Sequence, residues 1–209
     1  MGKSGDGLLG KISGKLGNVV IAHWKGIPYI RSKPSGNPSN TKAQQNQRSK
    51  FGMVVKFVGH ILPVINAGFK WNIDAMTERN AAISYLMKNA VKGEKPDLSI
   101  DYPRVQVARG GLPSPKEATV KCPETNNLVF EWQQKSDRQP LRAKDRVLAL
   151  AYCPAVKAGV WSIEEKNRSD EQLKLEIPSN MCDKELHTYL AFAEAKGDDA
   201  SDSVYLGSV

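Results

Sequence analysis

The 209 residues allow one large domain or two small ones, and an apolar content of 40% excludes a disordered chain. The formal net charge of +8 favours anionic partners without choosing among nucleic acid, a lipid surface and an acidic protein. Three widely spaced cysteines, Cys122, Cys153 and Cys182, form no CxxC pair and suit a reducing compartment.

The opening MGKSGDGLLGKISGKLGNVV lacks the continuous apolar core of a secretory signal. No run approaches the ~20 apolar residues that cross a bilayer. Asp6 stands where a myristoylation pattern wants Ser or Thr. The expectation is a cytoplasmic protein without membrane insertion, with secretion by a route lacking a cleaved signal left open. Gly2, Gly5, Gly7, Gly10, Gly14 and Gly17 read as tight turns or an arm, because neither a P-loop nor a GxGxxG pattern accompanies them.

Next comes a hairpin. NVVIAHW and IPYIRS flank Lys25 and Gly26, and the glycine supplies turn freedom. Val19, Ile21 and His23 alternate with Val20, Ala22 and Trp24, so apolar residues on both sides predict a strand covered on both faces. Pro28 puts the return strand at an edge or delays its start. After the turn-rich SKPSGNPSN, Thr41 and Gln44 form a capping-box pattern that opens a helix. Phe51, Val55, Val58 and Leu62 predict its buried stripe, and Pro63 kinks it or starts the next segment. Thr77 caps a second helix over 77–91, which Gly93 and Pro96 end.

The segment RGGLPSP, 109–115, resists regular structure and reads as a joint. Beyond and around it, SIDYPRVQVAR, NLVFEWQ, DRVLALAYCP, GVWSI, LKLEIP, ELHTYLAFAEA and DSVYLGSV read as seven short strands. Leu128, Phe130 and Trp132 share one face, and Leu173, Leu175 and Ile177 oppose Lys174 and Glu176. Each such strand buries one face against a second sheet. VLALAYC is apolar on both faces and reads as central. The predicted fold is α+β: an N-terminal β-hairpin and helices, then a seven-stranded antiparallel β-sandwich.

Charge supports the same division. Residues 1–60 carry ten Lys or Arg against one acid, whereas residues 111–209 carry thirteen bases against sixteen acids. Two parts are expected, a basic hairpin-helix unit over 1–98 and the sandwich over 99–209.

Two resemblances add to this. The tryptophan of FEW, the aromatic of HTYLAFAEA, the Tyr189–Ala195 rhythm and the closing SDSVYL make the C-terminal half resemble a fibronectin type III domain, a class that positions partners or serves as a spacer. Through GKLGNVV, WKGIPYIRSKP, TKAQQNQRSKF and SDSVYLG the whole chain is similar to an uncharacterised family of small Bacteroidota proteins. That likeness implies no activity.

No catalytic, cofactor or metal site emerges. His23, His60 and His187 are far apart, and neither HExxH nor GxSxG occurs. Cys153 and His187 can approach between adjacent strands, but structural roles are the simpler reading. Glu164 with Glu165, and Asp198 with Asp199, lack the convergent spacing of paired catalytic acids. Trp161 is a carbohydrate platform only if exposed. The residues singled out are Lys25, Arg31, Lys33, Lys42, Arg48 and Lys50, as contacts to an anionic partner, and Trp24 and Tyr29, as stacking or core residues. The expected function is non-catalytic protein interaction or assembly, with an acidic protein surface or a second copy as partner. The alternative is nucleic-acid binding by the same basic patch.

Overall fold

The computed structural model describes residues 2–3, 13–24, 27–33, 41–70, 76–124, 126–133, 143–163, 165–195 and 199–209. They form two compact units, Met1–Thr41 and Lys42–Val209.

In the first unit, strands β1 (Gly2–Lys3), β2 (Gly14–Leu16), β3 (Val19–Trp24) and β4 (Ile27–Ser32) make one antiparallel sheet in the order β1-β4-β3-β2. The expected hairpin is its centre. Gly17, at φ +57°, turns the chain from β2 into β3, a conformation that costs an L side chain about 1 kcal/mol. Against the expectation from Pro28, β4 is neither an edge strand nor late to start, since it runs from Ile27 between β1 and β3; the β1 pairing stops at Tyr29, one residue short of Pro28, so the missing proline N–H faces no neighbouring strand on that side. No described side chain in this sheet is buried. The expectation that β3 is covered on both faces therefore fails. Its alternation is two-sided because each face presents apolar groups, not because each is enclosed.

The second unit opens with α1 (Lys42–His60), α2 (Leu62–Gly68) and α3 (Glu78–Asn89). Helix α1 begins directly after Thr41. Pro63, in the first turn of α2, starts a new helix rather than kinking the old one, and the two axes differ by 84°. The buried seam of α1 is Val54, Phe57 and Val58, continued by Ile61. The expected stripe fails at Phe51, which is 53% exposed, because burial follows the surface that the helix meets and not the spacing alone. Thr77 caps α3 by accepting from the Asn80 N–H at 3.3 Å. The helix stops at Asn89, and β5 (Val91–Lys92) pairs with β6 (Ser99–Ile100).

Beyond β6 the predicted strand over 99–109 is absent. Tyr102–Arg104 form a 3-10 turn, since Pro103 favours a turn over a ladder. Strand β7 (Lys116–Glu124) is not among the expected strands. Its many polar residues hide the alternation of Ala118 and Val120, which pack on the core. Strands β8 (Asn127–Gln133), β9 (Arg146–Cys153), β10 (Ala158–Ser162), β11 (Gln172–Glu176), β12 (His187–Ala193) and β13 (Val204–Ser208) follow. They form a sheet β10-β9-β12-β13 and a sheet β11-β8-β7. The fold is mixed α+β with a β-sandwich-like part.

Between the two sheets lie Leu128, Phe130 and Trp132, Leu173 and Leu175, and Val147, Ala149 and Ala151, Leu190 and Phe192. Trp132 donates through Nε1 to the Arg168 carbonyl at 2.8 Å, so its one polar atom is satisfied in the core. The other face of β9 and β12 is equally buried. There Leu150, Tyr152 and Tyr189 share a core with Phe57, Val58, Ile61, Ile65 and Leu86 of the helices. Strand β9 is central, as its two apolar faces predict, because one face meets a sheet and the other a helical layer.

This shared core moves the division of the chain. Compactness separates residues 1–41 from 42–209, whereas the expected division is 1–98 from 99–209. RGGLPSP is correspondingly not a free joint. Leu112 is buried, and Arg109 bridges to Phe69 while Leu112 bridges to Ser201. A Cβ on Gly110 would sit 2.0 Å from the Ala200 carbonyl oxygen. The glycine is there for close approach, not for flexibility.

Candidate contact surface

The residues singled out in the N-terminal unit are sorted by strand register. Cross-strand partners in an antiparallel sheet project to the same side. Val20 pairs with Lys15 and Arg31, Ala22 with Tyr29, and Trp24 with Ile27. One face therefore gathers Lys15, Arg31, Tyr29, Trp24 and Ile27. The opposite face gathers Leu16, Val19, Ile21, Pro28 and Ile30 through the pairs Leu16–Val19, Ile21–Ile30 and His23–Pro28.

Exposure settles which of these are surface groups. Trp24 is 58% exposed and Ile27 54%, on the aromatic and basic face; Leu16 is 71% exposed and Ile30 37%, on the apolar face. Trp24 is thus not a core residue, and Tyr29 is half-buried. Four of the seven large apolar side chains exposed among the described residues lie on this one sheet. Lys25 lies outside the described residues. Lys33 follows β4 directly, with its N–H bonded to the Asn18 carbonyl at 2.7 Å.

The other candidate bases belong to the second unit. Lys42, Arg48 and Lys50 all lie on α1. A helix turns about 100° per residue, so Arg48 and Lys50 project roughly 160° apart and Lys42 and Lys50 roughly 80° apart. They do not form one stripe. Lys42 also lines a cleft with Glu94 and Lys95. The six bases are close in sequence, and the fold divides them between two units. Lys15, Leu16 and Ile30 stand outside the expected set. Their signal is cross-strand pairing, which a single strand's alternation does not reveal.

The second unit holds an aromatic cluster. The Phe57 and Tyr152 rings meet edge-on at 4.8 Å, and Tyr102 stacks on His187 at 3.8 Å. His187 Nδ1 bonds the Tyr205 hydroxyl at 2.9 Å, and the Tyr189 hydroxyl donates to the Tyr102 carbonyl at 2.9 Å. Burial holds the His187 pKa below its ordinary value, with Glu185 opposing that shift. Burial also pushes the Tyr152 phenol up to about 12 and raises Tyr102 and Tyr189. These hydroxyls stay protonated, and that of Tyr189 serves as a hydrogen-bond donor. A groove of about 360 Å³ opens beside the cluster, bounded by α1, by residues 98–100 and by the β9–β10 turn.

The candidate chemistry does not assemble. His187 pairs with Tyr152 across β9 and β12, on the helical face, while the neighbouring Cys153 is buried between the sheets. Their side chains point to opposite faces. The Asp199 carboxylate accepts from the Gly111 and Ala200 N–H groups, each at 2.8 Å, so it holds the 109–112 segment in place. Asp198 and Glu164 lie outside the described residues. Trp161 packs against the helical core and offers no open platform. Among the described residues, no group of three or more His, Cys, Asp or Glu can hold a metal ion, and no single helix is long and apolar enough to cross a membrane.

Comparison with known proteins places the chain without naming an activity. Residues 11–207 match the family described as "Family of unknown function (DUF6266)", and the chain belongs to it. No curated protein matches. Among solved structures, the fn3 domain of human contactin 1 is similar at 13% identity and a TM-score of 0.33, over 46% of this chain and 76% of that one.

Proposed function

We propose that this member of the family is a non-catalytic interaction or assembly protein that docks an acidic protein surface through its N-terminal sheet. The observation that carries the reading is the sheet itself. It encloses no described side chain, exposes Leu16, Trp24, Ile27 and Ile30, and sits in a stretch, residues 13–33, with four bases and no acid. An isolated small sheet needs a covered apolar face for stability, and a partner supplies that cover. The bases then select an acidic partner and steer its approach. The acid-rich 111–209 segment of a second copy has the right sign of charge. In this reading the sandwich is a fibronectin-like scaffold. Its strand orders, β11-β8-β7 and β10-β9-β12-β13, support that likeness.

One observation favours nucleic acid as a second reading: Trp24, Tyr29, Lys15 and Arg31 share a face, an arrangement that suits stacked bases and phosphates. The opposite face argues against it, because Leu16, Val19, Ile21 and Ile30 find no partner in a polyanion. Two double variants separate the readings. Leu16→Asp with Ile30→Asp should abolish concentration-dependent assembly measured by sedimentation, while labelled single- and double-stranded nucleic acids bind neither variant nor wild type at low salt. The proposal is overturned if nucleic acid binds tightly, weakens steeply with salt and is lost on Lys15→Glu with Arg31→Glu but not on the aspartate pair.

A further inference from the structure

We propose that the groove beside the aromatic cluster of the second unit binds an extended peptide segment of a partner protein, apolar or aromatic at its centre and flanked by carboxylates. The site is separate from the N-terminal sheet and does not depend on the function proposed for it.

The floor is pre-formed. Phe57 and Tyr152 are almost fully buried and held edge-on at 4.8 Å, and Tyr102 packs against Tyr152 at 6.0 Å. Phe57 and Tyr152 offer almost no surface of their own, so a ring or branched aliphatic group seated on this rigid base covers the half-buried Met53, Leu98, Ile100 and Tyr102, and rigid sites lose less entropy on binding. The volume of about 360 Å³ lies at the small end of ligand sites, which span roughly 300–1,000 Å³, and holds one or two side chains.

The rim is basic. Lys56, Lys157 and His60 line the groove, and no acid does so among the described residues. Neither lysine has an ion-pair partner among the described residues, and His60 Nδ1 is buried with no hydrogen-bond partner there. Lys157 sits at φ +57°, in the left-handed region that glycine fills without strain, so the β9–β10 turn carries a cation where backbone preference argues for glycine. An apolar floor between two unpaired cations calls for an apolar centre between anions.

The third wall points to an extended chain rather than a compact ligand. Leu98, Ser99 and Ile100 form it, and among the described residues β6 pairs with β5 alone, in a two-stranded sheet. A trough along an extended wall is the geometry in which peptides dock, with alternate side chains in the pocket.

An arrayed library of extended hexapeptides, varied independently in charge and apolar content, tests this against the full-length chain. Bound sequences should be enriched in Asp or Glu flanking an aromatic or branched residue. The tightest of them should shift the amide resonances of Ser99, Ile100 and Lys157. Lys56→Glu with Lys157→Glu, exposed positions whose change leaves the fold intact by circular dichroism, should weaken it by about tenfold or more. The proposal is overturned by a library without that enrichment, by shifts confined to the N-terminal sheet, or by unchanged affinity in the double variant. Equal affinity for phenylpropionate alone overturns the peptide assignment in favour of a small carboxylate.

Discussion

Phe57→Ala tests whether the helices and the sandwich-like part are one folding unit. Phe57 is 2% exposed, lies edge-on to Tyr152 at 4.8 Å and meets Tyr102 at 6.3 Å. Removing a buried Phe side chain costs about 3–5 kcal/mol, and the loss of its packing on two tyrosine rings puts the value in the upper part of that range. With a urea m-value of roughly 2 kcal/mol/M, the unfolding midpoint drops by roughly 2 M. The assay follows two signals in one titration. Far-UV circular dichroism reports α1 to α3, and the methyl resonances of Leu173 and Leu175 report the sheet farthest from them. Both should move together, because β9 and β12 carry one core on each face. If the helices melt early while Leu173 and Leu175 keep their wild-type midpoint, the shared-core argument is wrong and a boundary near 98/99 is restored.

Four further outcomes follow from the same structure. Gly110→Ala forces a Cβ to within 2.0 Å of the Ala200 carbonyl oxygen and should destabilise the protein by about 1–3 kcal/mol, read as a thermal midpoint shift. Gly52→Ala, inside α1 with open space around it, should stabilise it by about 0.5–1 kcal/mol in the same measurement. Tyr189→Phe removes one of two hydrogen bonds to the Tyr102 carbonyl, the other coming from the Val105 N–H at 3.0 Å, and should cost about 0.5–1.5 kcal/mol by urea titration. His187 has a pKa lowered from 6.5 by burial, so the unfolded chain takes up its proton first as pH falls. The His187 share of stability is therefore complete above 6.5, falls as pH drops below it, and levels off once the folded-state value is passed. His187→Gln should flatten that part of a stability-versus-pH curve.

Much of this fold was legible in order along the chain. Alternation in NLVFEWQ and LKLEI identified strands with one buried face, and the unbroken apolar run VLALAYC identified a strand buried on two. Thr77 and Pro63 marked helix starts because capping and a missing N–H act within one turn. Local backbone chemistry and hydrophobic period determine these features, and both are properties of neighbouring residues.

Tertiary structure alone decided what each buried face meets and which exposed groups stand together. Phe51 and Phe57 are both apolar residues on one helix, yet only Phe57 reaches Tyr152, whose position depends on a strand nearly a hundred residues away. Net charge suggested a boundary inside a continuous core, since charge records the surface and is silent about packing beneath it. The groove unites α1, Leu98–Ile100 and Lys157, and the sheet unites Lys15 with Arg31 through the register of three strands. Such groupings arise from long-range closure of the chain, so no local pattern encodes them.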